Sequence, residues 1–192
     1  YIQSTGLVTG GQFNGTGPFG EGFCSNYNLP HCHHHGPRGN DPYPSEGTPG
    51  CEQQTSQQCP TSCDASSKAP HNNFQKDKYG FTGLVTTYRT EEAIQEAIMK
   101  DGPIQTAFSV YSDFANYAGG IYHHVTGGLE GGHAVTIVGW GEENGVKYGR
   151  ILNSWNPYWG ESGYFRIKRG TNECGIESQV TGSRTGSIWG PK

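Results

Sequence analysis

The sequence has 192 residues, enough for one large domain or two small ones with a sizeable hydrophobic core. Glycine makes up 31 of these 192 residues, more than twice the roughly 7% of average proteins, which favours turns and irregular loops over long helices. The formal net charge is −4 and no basic run occurs, so we expect no nucleic acid partner, and no apolar run approaches the ~20 residues of a membrane span.

Five of the six cysteines lie between Cys24 and Cys63, in a region rich in glycine and proline. This density is typical of a disulfide framework formed in an oxidising compartment. The residues alone allow many pairings of six cysteines and leave the connectivity open. Asn14, in the sequence Asn-Gly-Thr, is a candidate glycosylation site, which fits the same secretory environment.

A histidine-rich run from His31 to His35, interrupted by Cys32, lies inside the cysteine-rich region. Tracts of this composition bind zinc, although adjacent side chains cannot all face one ion. From the residues alone, a metal site and a solvated polar loop both stay open.

The clearest predicted helix follows Thr90, a suitable N-cap with two acidic residues in the first turn after it. Asp101-Gly102-Pro103 is predicted to end it. Strand-like runs flank this helix, over residues 81–88 before it and 104–110 after it. The residues expected to form its apolar face are Ala93, Ile94, Ala97 and Ile98.

Three further strands are predicted towards the end of the chain, over residues 134–138, 147–152 and 164–167. Asn144-Gly145 between the first two is a hairpin signal, because Asn-Gly readily adopts the positive φ angles of a tight turn between strands. We therefore expect the first two strands to form an antiparallel pair.

This predicted hairpin brings His133 and Asn153 close together, although they are twenty residues apart in sequence. An Asn carbonyl facing one imidazole nitrogen fixes the histidine tautomer and leaves the other nitrogen free for chemistry. Trp155 is expected to lie over that hydrogen bond and keep water away from it.

Five motifs follow one another in the second half of the chain: GGHA at 131–134, VGWG at 138–141, NSW at 153–155, WGESGYF at 159–165 and CGIE at 174–177. In this order and spacing they resemble the papain-like cysteine proteases, and their surroundings look like the heavy-chain portion of cathepsin B. The resemblance implies an α+β papain-like fold. Residues 65–192 would form mainly its β-rich right-hand domain, after a cysteine-rich occluding-loop region at residues 1–64.

The resemblance also implies peptide hydrolysis through an acyl-enzyme, with a Cys-His-Asn arrangement in which His133 acts beside a thiolate and Asn153 orients it. The family's Cys-Gly-Ser-Cys-Trp nucleophile motif does not occur in this sequence. We therefore expect the nucleophile on a separate light chain that carries the N-terminal helical domain, and this chain alone to be inactive. No metal or organic cofactor is implied.

In the occluding loop of cathepsin B, two adjacent histidines bind the C-terminal carboxylate of a peptide, and His34 and His35 match them. This would add dipeptidyl carboxypeptidase activity to endopeptidase activity, and imidazolium near pH ~5–6 would make the binding charge-assisted. The resemblance pairs Cys24 with Cys63 and Cys32 with Cys51. It would pair Cys59 with a cysteine of the light chain and leave Cys174 free.

Several other residues match substrate-binding positions of the family. The family's acidic residue at the base of the S2 specificity pocket is Gln179 here, and a neutral amide cannot pair the charge of an arginine. We therefore predict an apolar or aromatic residue two positions before the scissile bond (P2). For Ala107, a small residue on a packed strand is an equally open interpretation. The other matching positions are Gly132, Ala134 and Trp155.

The implied partners are the light chain, peptide or protein substrates, and propeptide or cystatin-type inhibitors. The implied location is a lysosome or equivalent acidic vacuole, or the outside of the cell. Two other function classes stay open: a non-catalytic homologue acting as a binding protein, and a metal-binding module built on His31–His35. The presence of both His133 and Asn153 favours the enzyme.

Overall fold

The computed structural model describes residues 4–13, 22–29, 55, 57–81, 83–183 and 189–191. The chain divides into two compact units, the first comprising residues 1–32, 51–83 and 186–192 and the second residues 33–50 and 84–185. The predicted domain boundary after residue 64 stays a prediction. The predicted features that fall outside the described residues are the glycosylation site at Asn14, the Cys32–Cys51 disulfide and the histidine run His31–His35, with His34 and His35.

Short strands and one disulfide build the first unit. The strands are β1 (Leu7–Val8), β2 (Gly10–Phe13), β3 (Ser25–Tyr27), β4 (Lys78–Phe81) and β12 (Trp189–Pro191). A three-stranded antiparallel sheet has the order β1-β4-β12, and β2 pairs in parallel with β3. The Cys24–Cys63 disulfide is present, with the two Cα atoms 4.5 Å apart, so this predicted pairing is confirmed.

A buried carboxylate, Asp77, ties the strands of this unit together. It accepts hydrogen bonds from the backbone N–H of Thr9 at 2.8 Å and from the Thr9 hydroxyl at 2.6 Å, and it lies 2.6 Å from Nδ1 of His71. Burial by itself raises the pKa of the Asp77 carboxyl, but the hydrogen bonds from Thr9 and His71 outweigh it and lower the pKa from its usual 3.8.

We expect Asp77→Asn to destabilise the protein by roughly 1–3 kcal/mol at pH ~6. The amide keeps only one acceptor oxygen, so either the two Thr9 donors or His71 would face its NH₂ group. A carboxyl whose pKa is lower in the folded state stabilises the fold above its unfolded pKa, and that stabilisation is lost as the pH falls through the folded pKa. The difference between wild type and variant should therefore shrink as the pH falls below about 4. Urea unfolding at several pH values measures this. The exposed acid Glu92, changed to Gln, serves as the control, and a pH-independent difference would contradict the prediction.

The second unit contains a seven-stranded sheet. Its strands are β5 (Val85–Tyr88), β6 (Ile104–Tyr111), β7 (Ile121–Tyr122), β8 (Leu129–Glu143), β9 (Val146–Leu152), β10 (Tyr164–Lys168) and β11 (Val180–Ser183). They have the order β5-β11-β6-β8-β9-β10-β7. All neighbouring strands are antiparallel except β10 and β7, which are parallel.

One α-helix, α1 (Glu91–Asp101), occurs among the described residues, and its predicted start and end are confirmed. The Thr90 hydroxyl accepts a hydrogen bond from the Ala93 backbone at 3.2 Å, which caps the first turn, and Gly102 follows the last residue with φ of 89°. Ile94 and Ala97 are buried, as expected for the apolar face. The described part of the chain has no helix that combines the length and apolar character needed to cross a bilayer.

The predicted hairpin is formed by β8 and β9. Glu143 faces Val146 across the turn, and Asn144 and Gly145 between them have φ angles of 52° and 78°. Both are positive, as a two-residue turn that matches the twist of the strands requires. Strand β8 is longer than the predicted 134–138, because it pairs with β6 on its other edge from Leu129 onwards. This long strand forms the middle of the sheet.

The run at 81–88 was predicted as one strand, and this is wrong. It contains the end of β4, which pairs in the first unit, and all of β5, which pairs with β11 in the second. The two strands belong to different sheets because their hydrogen-bonding partners lie in different parts of the chain, which local apolar character does not reveal.

Aromatic side chains form the centre of the second unit's core. Phe114 is fully buried, and six aromatic rings have their centroids within 4.8–6.2 Å of its own. These rings belong to Phe108, Tyr117, Tyr122, Trp155, Trp159 and Phe165. Phe108 of this cluster lies on β6 directly opposite His133 of β8, with ring centroids 6.0 Å apart. The cluster therefore supports the part of the sheet that carries His133.

Candidate active site

The hairpin places His133 and Asn153 side by side. His133 lies on β8 opposite Phe108 of β6, and Asn153 comes directly after β9. Nε2 of His133 is 2.8 Å from Oδ1 of Asn153, a normal hydrogen-bond distance. The backbone N–H of Asn153 donates to the carbonyl of Gly163 at 3.0 Å, which fixes the chain where it leaves the strand.

The hydrogen bonds of Asn153 determine which nitrogen of His133 carries a proton. Its Oδ1 also accepts from the backbone N–H of Ser154 at 2.8 Å, so this oxygen acts as an acceptor and Nε2 of His133 as a donor. Among the described residues Nδ1 of His133 has no hydrogen-bond partner. The arrangement therefore leaves Nδ1 of His133 available to a reacting group.

Asn153 is 8% exposed, and its side-chain nitrogen Nδ2 is buried without a partner in the described part of the chain. A buried polar group left unpaired costs about 1–3 kcal/mol, so such groups are rare in folded proteins. The amide is thus in a place where a further acceptor would stabilise the site.

Trp155 lies over the His133 ring, with ring centroids 5.4 Å apart and planes inclined by 24°. It also contacts Phe114 edge-on at 5.3 Å and Trp159 edge-on at 4.9 Å. The tryptophan therefore joins the imidazole to the buried aromatic core. A side chain fixed in this way holds the imidazole in one orientation and limits the approach of water from that face.

A groove with a volume of about 300 Å³ lies beside this pair. It contains three of the predicted substrate-binding residues, Ala107, Gly132 and Gln179. Its other lining residues are Phe108, Ser109, Cys174, Gly175 and Ser178. None of these eight side chains carries a charge at mildly acidic pH, so the groove suits a neutral group.

Ala134 is exposed and is the cross-strand neighbour of Ala107. His34 and His35 lie outside the described residues, so the structure places neither of them relative to His133. Cys59 is exposed and forms no disulfide with another described cysteine. Its predicted pairing with a light chain stays a prediction.

Sequence reasoning treated Cys174 only as an unpaired thiol and missed its position in the groove wall. The available signal was its closeness in sequence to Gln179. Burial and the neighbouring Glu173 carboxylate raise the pKa of the Cys174 thiol to about 12, so it stays protonated at any physiological pH. A nucleophilic cysteine must be a thiolate, so Cys174 does not fit that role.

The sequence analysis also missed a polar cluster centred on Asp113, directly after β6. Burial by itself raises the pKa of the Asp113 carboxyl, but hydrogen bonds from the Val125 amide and the Tyr122 hydroxyl outweigh it, so the pKa lies well below its usual range. Asp113 thereby fixes the loop that leads into β8. Its hydrogen-bond partners are the Tyr122 hydroxyl at 2.7 Å, Nδ1 of His124 at 3.2 Å and the backbone N–H groups of Val125 and Thr126 at 2.9 and 3.2 Å.

Within the described residues, no group of three or more His, Cys, Asp or Glu side chains is arranged to hold a metal ion. The histidine run for which a metal site was considered lies outside them.

Comparison with known sequences gives one consistent family. Residues 21–184 match the papain family of cysteine proteases. The chain is 41% identical over 182 residues to a cathepsin B-like cysteine proteinase 3 from Caenorhabditis elegans, covering 94% of this chain and 43% of the relative. It is 43% identical over 181 residues to a cathepsin B-like cysteine proteinase from Schistosoma japonicum, covering 94% of this chain and 48% of the relative. The chain thus spans less than half the length of these two relatives.

A third relative is of similar length to this chain. The cathepsin B-like cysteine proteinase 3 from Ostertagia ostertagi is 41% identical over 182 residues, which cover 94% of this chain and 95% of that sequence. Among solved structures, proCathepsin B S9 from Trypanosoma congolense is similar with a TM-score of 0.57 and 32% identity, covering 76% of this chain and 46% of that one. The likeness agrees with the predicted α+β fold, of which the described chain is the mainly β-sheet part.

Proposed function

Because the chain belongs to the papain family of cysteine proteases and is cathepsin B-like, we propose that it is the heavy-chain part of a peptidase. In this proposal His133 and Asn153 complete a Cys-His-Asn active site, and the cysteine comes from a light chain. The whole enzyme hydrolyses peptide bonds as an endopeptidase and as a dipeptidyl carboxypeptidase.

The observation that carries the proposal is the 2.8 Å hydrogen bond between Nε2 of His133 and Oδ1 of Asn153, with Nδ1 of His133 left without a partner among the described residues. An imidazolium whose Nε2–H donates to Asn153 can present its Nδ1–H to a thiolate and stabilise the negative charge. The buried Nδ2 of Asn153, also without a partner there, supports the view that another segment completes the site.

In the proposed reaction the thiolate attacks the peptide carbonyl, and a carbon–sulfur bond forms while the carbonyl electrons move to oxygen. The tetrahedral intermediate then collapses, the carbon–nitrogen bond breaks, and Nδ1 of His133 gives its proton to the leaving amine. Neutral His133 next takes a proton from water, and the resulting hydroxide forms a bond to the thioester carbonyl carbon. Collapse of this second tetrahedral intermediate breaks the carbon–sulfur bond, which releases the acid and regenerates the thiolate beside the His133 imidazolium. Asn153 and Trp155 hold the imidazole in place during both proton transfers.

Three of the cysteines in the described residues do not fit the role of the missing nucleophile. Cys24 and Cys63 form a disulfide, and the Cys174 thiol stays protonated because its pKa is raised to about 12. In this proposal Cys59, Cys32 and Cys51 all form disulfides, Cys59 with the light chain and the other two with each other. The proposal therefore depends on a thiol from outside this chain.

The test uses the full-length precursor that contains this sequence, processed to its mature form. We expect an epoxide that alkylates active-site thiols to label one cysteine N-terminal to this chain and to abolish hydrolysis of Z-Phe-Arg-aminomethylcoumarin. Labelling of Cys59 or Cys174 instead would contradict the proposal. A serine or glycine at the nucleophile position, with no hydrolysis, would favour a non-catalytic binding protein.

The further partners and the location remain part of the proposal. Dipeptide release would depend on His34 and His35, and their replacement by alanine should reduce it while internal cleavage continues. Propeptide and cystatin-type inhibitors would bind the same cleft. From the similarity to cathepsin B-like proteinases, the proposed location is a lysosome or equivalent acidic vacuole, or the outside of the cell.

We expect Gln179→Glu to change the P2 preference of the enzyme. A carboxylate at this position of the uncharged groove would make charge-assisted hydrogen bonds to an arginine. The ratio of kcat/KM for Z-Arg-Arg over Z-Phe-Arg substrates should rise by about tenfold, or roughly 1.4 kcal/mol. Gln179→Met, which changes the side chain without adding charge, is the matched control and should not raise the ratio. Equal turnover of the two substrates by the wild type would already contradict the predicted preference.

A further inference from the structure

One wall of the groove is formed by the segment 170–179, of which Cys174, Gly175, Ser178 and Gln179 line the groove. This segment contains backbone conformations that residues other than glycine rarely adopt. Asn172, Cys174 and Gly175 have φ angles of 52°, 50° and 77°, so two non-glycine residues within three positions lie in the left-handed region. Such residues persist only where surrounding contacts fix them, and they concentrate at functional sites. The contacts that fix this segment are therefore candidates for a functional role.

One set of contacts lies within the segment itself. The Glu177 carboxylate accepts hydrogen bonds from the backbone N–H of Gly170 at 3.0 Å and of Asn172 at 2.7 Å. Nδ2 of Asn172 donates to the Ser178 hydroxyl at 2.8 Å. These bonds lie within residues 170–178 and do not connect the segment to the β-sheet.

Two other contacts connect the wall to strand β6 and to the loop before β8. The hydroxyl of Thr106, a buried residue on β6, donates to the carbonyl of Ile176 at 2.5 Å. Oε1 of Glu173 accepts from the backbone N–H of His124 at 3.2 Å and from the thiol of Cys174 at 3.4 Å. Cys174 is itself a lining residue of the groove. Thr106 therefore holds the wall at Ile176, and the Glu173 carboxylate holds it at Cys174.

His124, whose backbone N–H donates to Glu173, is itself held by two contacts of its ring. Its Nδ1 lies 3.2 Å from the Asp113 carboxylate, and its ring stacks on Tyr111 with centroids 3.8 Å apart and planes inclined by 16°. Tyr111 is the last residue of β6, the strand that also supplies Ala107 and Ser109 to the groove. Through His124 and Tyr111, Glu173 thus connects Cys174 to β6, the strand that lines the other side of the groove.

We propose that Glu173 is a positioning residue for substrate selection: by holding the Cys174 wall at a fixed distance from β6, it sets the size of the P2 side chain that the groove accepts. The inference rests on the proposed function, because it assigns this groove to the P2 residue. Glu173 does not contact the reacting atoms and acts through Cys174 and His124.

The test compares variants of the mature enzyme on Z-Phe-Arg, Z-Leu-Arg and Z-Val-Arg substrates. Glu173→Ala removes the acceptor shared by His124 and Cys174, so KM for the Phe substrate should rise about fivefold to tenfold while kcat changes less than about twofold. The ratios of kcat/KM among the three substrates should move towards one. Glu173→Gln keeps an acceptor oxygen and should restore the wild-type ratios. Glu142→Ala, which removes an exposed acid at the far end of β8, is the charge-matched control.

A second measurement separates this role from a general structural one. The rate at which iodoacetamide alkylates the nucleophile does not depend on the P2 groove, so it should be unchanged in Glu173→Ala. Unchanged KM and substrate ratios, or an equal fall in kcat and alkylation rate, would overturn the inference. If Glu173→Ala does not fold, Glu173→Asp keeps the charge with a shorter reach and should still raise KM measurably; an unchanged KM would again overturn it. An inactive wild type would instead count against the proposed function.

Discussion

Replacing His133 with alanine in the mature two-chain enzyme is expected to lower kcat/KM by at least about 10³-fold, with most of the loss in kcat. The imidazole would both stabilise the thiolate and protonate the leaving amine, and alanine supplies neither function. Nε2 of His133 is hydrogen-bonded to Oδ1 of Asn153 at 2.8 Å, so Nδ1 of the same ring would carry out both proton transfers. Because the groove residues Ala107, Gly132 and Gln179 stay in place, substrate binding should change little.

The control for this experiment is His123→Ala, which removes an exposed histidine before β8. Hydrolysis of Z-Phe-Arg-aminomethylcoumarin and labelling by the epoxide are measured for both variants. We expect the control to retain activity within about twofold, as for surface substitutions generally. A His133→Ala enzyme that keeps more than a tenth of wild-type kcat would rule out the proposed role of this residue.

Local signals in the sequence predicted the elements that bring His133 and Asn153 together. Asn144-Gly145 has a conformational preference of its own, and it alone accounts for the hairpin. The start of α1 was equally local, because the Thr90 hydroxyl needs only the Ala93 N–H three residues away. Where a feature depends on residues a few positions apart, the sequence was sufficient.

Features that depend on distant contacts could not be predicted in this way. No local pattern indicates that β12 pairs with β4, more than a hundred residues earlier, or that β11 lies between β5 and β6. The Cys24–Cys63 pairing came from the family resemblance, since the residues alone left it open. The contact between Glu173 and His124 spans 49 residues and joins two loops, so no periodicity could reveal it.

The aromatic core behind the site is a further long-range feature, and it gives the second large expected effect. Phe114→Ala should destabilise the protein by about 3–5 kcal/mol, because it removes a fully buried ring and leaves a cavity among six others. For a unit of this size the melting temperature should fall by roughly 10–30 °C. Phe114→Leu fills part of the cavity and should cost only about 1–2 kcal/mol.

The same substitution should also lower kcat at temperatures where the protein is still folded. Trp155 makes an edge-on contact with Phe114 at 5.3 Å and stacks on His133 at 5.4 Å, so loss of the phenyl ring removes one of the contacts that hold the indole over the imidazole. At a temperature where the variant is folded, kcat should therefore fall more than 1/KM changes, and Phe114→Leu should show a smaller fall. Thermal unfolding followed by tryptophan fluorescence and kcat on the Phe-Arg substrate measure the two effects.

Tyr158→Ala provides the matched aromatic control, since this ring is 43% exposed and lies only three residues after Trp155. Its removal should change stability by no more than about 0.5 kcal/mol. If Phe114→Ala lowered the melting temperature while kcat stayed at the wild-type value, the indole would keep its place without the phenyl ring. Trp155 and Asn153 would then orient His133 without help from Phe114, and the phenyl ring would serve stability but not catalysis.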